Sequence, residues 1–142
     1  MGCGGVGLNV IQGAVLAGAT TIIAADVADQ KLKQAERLGA THTLLATDLP
    51  HQVADLVKGG VDYAFDATGA PGVLAQAFAS TQPGGTTVMV GSPPAGHPMT
   101  LDTGLLFASR RLMGTQGGDS SPAATSPCWP PSTYAAAWTS TP

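Results

Sequence analysis

Gly2-Cys3-Gly4-Gly5-Val6-Gly7 opens the chain as G-x-G-x-x-G, and this stretch decides how everything after it is read. Such a turn joins the first strand of a nucleotide-binding βαβ unit to its helix. Its first glycine makes the tight turn, the second lets backbone approach a pyrophosphate, and the third lets the helix pack close to the sheet. Turn and helix are present here, but of the strand in front at most Met1 remains. The expectation is a piece cut from a larger enzyme, with its sheet truncated before its first strand.

In a chain with 19 glycines the pattern alone is weak, so the residues behind it carry the weight. Leu8 to Ala19 reads as an apolar helix with Val10, Ala14 and Ala17 on one stripe and Ile11, Val15 and Leu16 broadening it. Thr21 to Ala25 is a short β-branched run ending in Asp26, nineteen positions after Gly7. The dinucleotide fingerprint expects an acid about 20 residues on, accepting hydrogen bonds from the adenosine ribose hydroxyls. A 2′-phosphate would be repelled there, so Asp26 favours NAD over NADP. The plainer alternative is an Asp26 that merely starts the next helix.

The period then repeats. Asp29 to Leu38 is an amphipathic helix with Leu32, Ala35 and Leu38 inward and Gly39 as its stop. Thr41 to Ala46 reads as a strand, and Asp48 is expected to cap a helix running to Val57. Val61 to Ala67 is a strand, Val73 to Ser80 a helix, Gln82-Pro83-Gly84-Gly85 a turn, and Thr86 to Val90 a strand. Strands alternating with helices predict an α/β, Rossmann-type doubly wound parallel sheet.

These residues resemble the cofactor domain of the zinc-dependent alcohol dehydrogenases, the medium-chain dehydrogenase/reductase family, from Gly2 to about Gly118. The resemblance rests on G-C-G-G-V-G-L-N-V-I-Q-G-A, I-I-A-A-D with Lys31 five residues later, A-E-R-L-G-A-T, F-D-A-T-G and P-G-G-T-T-V-M-V-G-S-P-P. The stretch R-R-L-M-G-T-Q-G-G is most similar to the branch that oxidises thiol adducts of formaldehyde. The resemblance implies that Gly4, Gly5 and Val6 lie along the NAD pyrophosphate, within the turn framed by Gly2 and Gly7, and that Asp26 and Lys31 hold the adenosine ribose. It implies that Thr68 and Gly69 line the crevice at the strands' carboxyl ends. It further implies that the Val90-Gly91-Ser92 segment grips the nicotinamide carboxamide through backbone groups of Val90 and Ser92. Lys31 reads equally as a solvated helix charge, and Thr68-Gly69 as only a turn.

The family's chemistry uses a catalytic zinc held in a separate domain, where it polarises the alcohol oxygen while hydride passes to NAD. Cys3, Cys128, His42, His51 and His97 are scattered without metal-ligand spacing, so no catalytic residue and no zinc ligand is expected here. Cys3 reads most simply as a small, partly buried residue, expected to be somewhat acidified by its place next to a helix N-terminus. The family reading is therefore the NAD-binding fragment of an enzyme acting on a small alcohol or S-hydroxymethyl thiol adduct, inactive alone. Two other readings compete, a non-catalytic nucleotide-binding module and a methyltransferase with a similar glycine turn, the latter weakened by P-G-G-T-T-V-M-V-G-S-P-P. The edge from Met99 to Met113 would serve as a homodimer surface through Leu101, Leu105, Leu106 and Phe107, with ordinary core burial the alternative.

Residues 1–118 thus form the expected domain, and 119–142 a tail rich in Ser, Thr, Ala and Pro that lacks Leu, Ile, Val, Met, Lys, Arg and Glu. Such a composition is expected to stay disordered. Suitable codons for Ala124 to Thr133, read from their third base, give the family-like D-I-P-V-L-A-A-L-Y, which suggests a frameshift after about Pro122 or Ala123. Loss of a central strand is comparable to a domain's whole stability of about 5–15 kcal/mol. The isolated chain is therefore expected to fold poorly, without an NAD-dependent thermal shift, unless a neighbouring strand or the tail closes the gap.

Composition sets the outer bounds. A net charge of -3 with six basic residues argues against nucleic acid and anionic membrane surfaces. No run is long enough to span a bilayer, no signal peptide is recognisable, and two unpaired-looking cysteines fit a reducing compartment, so the cytoplasm is expected.

Overall fold

Helices and strands alternate in the computed structural model, which describes residues 1–119; within the expected tail, residues 120–142 and the shifted-frame segment lie outside the described residues. The order is α1 (Gly5–Leu16), β1 (Ile23–Asp26), α2 (Asp29–Arg37), β2 (His42–Leu45), α3 (Leu49–Leu56), β3 (Val61–Asp66), α4 (Val73–Ala79), β4 (Thr81–Met89), α5 (Thr103–Phe107) and β5 (Arg111–Gly114), ending in a 3-10 turn at Gly117–Asp119. Every strand pairing is parallel. Parallel neighbours need a crossover connection, and helices supply it between β1 and β2, β3 and β4, and β4 and β5, while α3 leads from β2 to β3. The result is the Rossmann-type doubly wound arrangement.

The ladder is split in two: β1 pairs with β2, and β3 pairs with β4, which pairs with β5. Met1 and Gly2 lie between the halves. The Gly2 N–H donates to the Ala25 carbonyl at 2.8 Å, and the Ala67 N–H donates to the Met1 carbonyl at 2.9 Å. The Met1 amine donates to the Phe65 carbonyl at 2.6 Å. The backbone of Met1 and Gly2 thus ties β1 to β3 at their carboxyl ends.

Apolar spacing explains which helix faces turn inward. On α2, Leu32 and Ala35 are buried against Ile22 and Ala24, with Cys3 and Ile11 completing the cluster. Both α1 and α2 end in the same motif, in which the two N–H groups past the helix reach back to the last turn: Gly18 to Val15 and Ala19 to Ala14, then Gly39 to Glu36 and Ala40 to Ala35. Gly18 and Gly39 take the positive φ that this stop requires, 78° and 107°. On the α3 and α4 side, Leu49, Val53, Ala64, Ala77 and Phe78 are buried. Phe78 has no exposure, and truncating such a ring costs about 3–5 kcal/mol.

Four local expectations are corrected. Helix α1 starts at Gly5 rather than Leu8 and turns Gly7 and Ile11 inward, with Leu8, Val10 and Ala14 partly buried, while Leu16 is 67 % exposed and Val15 and Ala17 face solvent. The earlier start rotates the buried stripe toward the glycine turn. Asp48 stands at the N-cap of α3 without capping it, because its carboxylate pairs with the His51 ring at 2.9 Å. β4 begins at Thr81, yet Val61 lies opposite Thr81 and Tyr63 opposite Thr86, so Gln82-Pro83-Gly84-Gly85 bulges out of the ladder. Finally, α5 and β5 add a helix and a strand within the region expected only as an edge. There Leu106 is exposed and Phe107 is 94 % exposed, which removes core burial as their role, while Leu101 and Leu105 are partly buried.

Candidate functional site

The parallel strands all end on the same side, and the glycine turn sits there between β1 and β3, where strand order reverses direction. In open α/β sheets ligands bind in that crevice. Gly2 and Gly7 are held by close approach. A methyl group on Gly2 would meet Thr68 Cγ2 at 2.5 Å, and one on Gly7 would collide with the Gly2 carbonyl oxygen. Gly4 and Gly5 differ: a methyl group on either would meet nothing within 4 Å. Both are exposed, as is Val6, so the outer half of the turn presents backbone to open space at the N-terminus of α1. The unpaired N–H groups and dipole of that twelve-residue helix favour an anion there.

Asp26 ends β1 directly beneath the turn. Its Oδ2 accepts the Cys3 N–H at 2.7 Å and its Oδ1 accepts the Ala28 N–H at 3.0 Å. The carboxylate therefore clamps the turn to the start of α2. Each oxygen keeps a further lone pair for a hydroxyl donor. Asp26 is only 6 % exposed, which limits the approach of such a donor to the rim. Lys31 Nζ stands 3.8 Å from Asp26 Oδ2 with its side chain 49 % exposed, a weak pairing at the same rim.

Across the gap, Asp66 organises the second wall, a role the sequence reading missed. Its Oδ1 accepts the Thr68 N–H at 2.8 Å and the Thr68 hydroxyl at 2.6 Å. The Thr68 hydroxyl in turn accepts the Ala70 N–H at 3.0 Å. Thr68 thus locks a turn, and its hydroxyl is already engaged. The readable signal was an Asp followed two residues later by Thr at a strand end, the pattern of an Asx turn. Asp66 also accepts the N–H groups of Val90 and Gly91 at its own carbonyl, at 2.9 and 2.8 Å. This leaves the Val90 carbonyl as the backbone group it could offer a carboxamide. Gly69 and Gly91 touch backbone to backbone, and a methyl group on Gly69 would strike the Ser92 carbonyl.

The structure therefore joins Gly2, Gly7, Asp26, Lys31 and Thr68 around the turn, and Gly69, Val90, Gly91 and Ser92 into an adjoining rim. Burial pushes the Cys3 thiol pKa up, partly opposed by the nearby Met1 amine. The expected acidification is overturned because Cys3 lies under the turn, where its thiol donates to the Ala25 carbonyl at 3.7 Å. Burial pushes the Met1 amine down. Among the described residues no group of three or more His, Cys, Asp or Glu side chains could hold a metal ion. The described residues do not supply a ligand set for the zinc that the resemblance implies.

Fold and crevice together define a Rossmann-type α/β domain with an exposed glycine turn at the carboxyl ends of its strands. The model of the zinc-binding dehydrogenase family matches residues 5–130, and the chain belongs to that family. It is 37 % identical over 131 residues to an S-(hydroxymethyl)glutathione dehydrogenase of Paracoccus denitrificans, covering 82 % of this chain and 35 % of that protein. The alcohol dehydrogenase zinc-binding domain protein from Burkholderia ambifaria superposes with a TM-score of 0.85 at 37 % identity, covering 90 % of this chain and 35 % of that one. A zinc-binding dehydrogenase from Sinorhizobium meliloti, solved bound to NADP, superposes with a TM-score of 0.75 at 35 % identity, covering 79 % of this chain and 34 % of that one. The chain spans about a third of the length of the curated relatives it matches.

Proposed function

We propose that this chain is the NAD-binding portion of a zinc-dependent alcohol dehydrogenase that oxidises an alcohol or an S-hydroxymethyl thiol adduct. One observation carries the reading: the Asp26 carboxylate is hydrogen-bonded to the Cys3 N–H inside the glycine turn, so the acid and the turn form one site. When bound, NAD supplies the hydride acceptor. The chain's own residues bind and orient it. Gly4, Gly5 and Val6 offer open backbone to the diphosphate, and Asp26 accepts from the ribose hydroxyls. The Val90 carbonyl and the Ser92 backbone hold the carboxamide beside Thr68-Gly69. A 2′-phosphate would meet the Asp26 charge, only partly offset by Lys31 at 3.8 Å, which favours NAD over the NADP held by the Sinorhizobium relative.

Residues outside 1–119 would hold the catalytic zinc. The exposed apolar residues Met99, Leu106, Phe107 and Met113 fit a homodimer edge. Among the described residues no helix is long and apolar enough to cross a membrane, and our reading places the protein in the cytoplasm.

Saturation-transfer NMR with excess dinucleotide tests the site even where affinity is low. Adenine and ribose protons of NAD should receive saturation, NADP should bind about tenfold more weakly, a gap of about 1.4 kcal/mol, and Asp26→Asn should narrow that gap. Equal transfer to both cofactors in the unmutated chain, or none to NAD, would remove the proposal.

A further inference from the structure

Asp66 ends β3 with its two acceptor groups engaged by different loops. Its side-chain Oδ1 takes the Thr68 N–H at 2.8 Å and the Thr68 hydroxyl at 2.6 Å, which bends the chain after β3. Its main-chain carbonyl takes the Val90 N–H at 2.9 Å and the Gly91 N–H at 2.8 Å, which fixes the chain where it leaves β4. At 1 % exposure the residue is closed to any ligand, so whatever it does for binding it does through those loops. A buried carboxylate is costly unless its hydrogen bonds are made, and this cost holds the Thr68 turn in the bonded form.

A dinucleotide reaches past the first wall. With its diphosphate on the glycine turn and its adenosine at Asp26 on the β1 side, its other half crosses the point where strand order reverses and arrives at the ends of β3 and β4. The surface waiting there is mostly backbone: a methyl group on Gly69 would strike the Ser92 carbonyl, and one on Gly91 would strike the Gly69 nitrogen. Backbone has no rotamers with which to adapt to an arriving ligand. Its position before binding therefore decides how well that half is received. Asp26 and Asp66 share no hydrogen-bond partner, so the two walls are organised separately, each by the acid at its own strand end.

We infer that Asp66 is a positioning residue for the nicotinamide half of the dinucleotide: it touches no ligand, and it presets the Thr68–Gly69 and Val90–Ser92 loops on which that half lands. The inference rests on the NAD-binding reading above and divides that site in two. The adenosine diphosphate half depends on Asp26 and the glycine turn, and the nicotinamide half depends on Asp66. The Thr68 hydroxyl carries the effect onward, because it donates to Asp66 and accepts the Ala70 N–H at 3.0 Å.

ADP and NAD separate the two halves, because ADP reaches only the first wall. Titrations of the full chain followed by saturation transfer should give the unmutated protein a higher affinity for NAD than for ADP. Thr68→Val removes the hydroxyl from an exposed residue while keeping its shape. It should weaken NAD about threefold to tenfold and leave ADP within about twofold. Asp66→Ala should bring NAD down to the level of ADP, and Asp66→Asn, which keeps an acceptor at Oδ1, should restore most of the gap. If Asp66→Ala fails to fold, Thr68→Val and Asp66→Asn decide alone. A role in stability only would weaken both ligands together. Equal losses for NAD and ADP in Thr68→Val, an unchanged NAD affinity there, no gap between the ligands in the unmutated chain, or loss of the gap in Asp66→Asn would overturn the inference and leave dinucleotide binding standing. An unmutated chain that binds neither ligand would instead remove the proposed function, and this inference with it.

Discussion

Gly5 and Gly7 stand two positions apart, yet their surroundings call for opposite outcomes on substitution. A methyl group on Gly7 would run into the Gly2 carbonyl, and both partners are backbone, so neither can rotate away. Gly7→Ala should cost about 2–3 kcal/mol, read as a lowered midpoint in urea. Gly5→Ala meets nothing within 4 Å, lies in the first turn of α1, and should leave stability unchanged or raise it by about 0.5–1 kcal/mol. It should nevertheless weaken dinucleotide binding, because its methyl group occupies the approach to the diphosphate. A Gly5→Ala chain that keeps its NAD saturation transfer would remove that residue from the site. The glycine spacing and Asp26 were legible in the sequence because each answers a local geometric demand. Asp66 was legible only as far as its local Asx turn with Thr68, because its hold on Val90 and Gly91 at the end of β4 exists only once the fold brings them together.

At the level of elements, the short α5 rests on Asp102, whose Oδ1 accepts the Gly104 N–H at 2.8 Å, and it holds Phe107 out into solvent. Among the described residues β5 has only β4 as a neighbour, and its other edge is open. An open edge beside exposed apolar side chains favours association. Phe107→Ser should reduce self-association in sedimentation velocity without lowering the melting temperature. A strictly monomeric unmutated chain at high concentration would exclude this edge as a contact. The periodic elements could be read from the sequence because α2 and its neighbours carry clean amphipathic spacing. The helix and strand after Ser92 escaped notice because each is too short to show a period. Helix α1 was misplaced by three residues, since glycines weaken the helical signal where a buried turn imposes the helix anyway.

The whole molecule carries a charge question at its centre, because the buried Met1 amine lies between the two halves of the sheet. Burial lowers its pKa from the ordinary value of 8.0, so folding disfavours the charged amine. The sign follows directly: the stability associated with this group is complete above pH 8.0 and declines as the pH falls from there through the lowered folded value. Chemical unfolding between pH 8.5 and 6 should show the decline, and acetylation of the amine should flatten it, since an acetylated terminus cannot charge. A slope that survives acetylation would place the titration elsewhere. A different linkage follows from the contact of Gly69 with Gly91. Two loops from separate strands are pressed together without side chains to cushion them, so the far rim of the crevice can shift only as a single body. Anything that settles on one loop repositions the other.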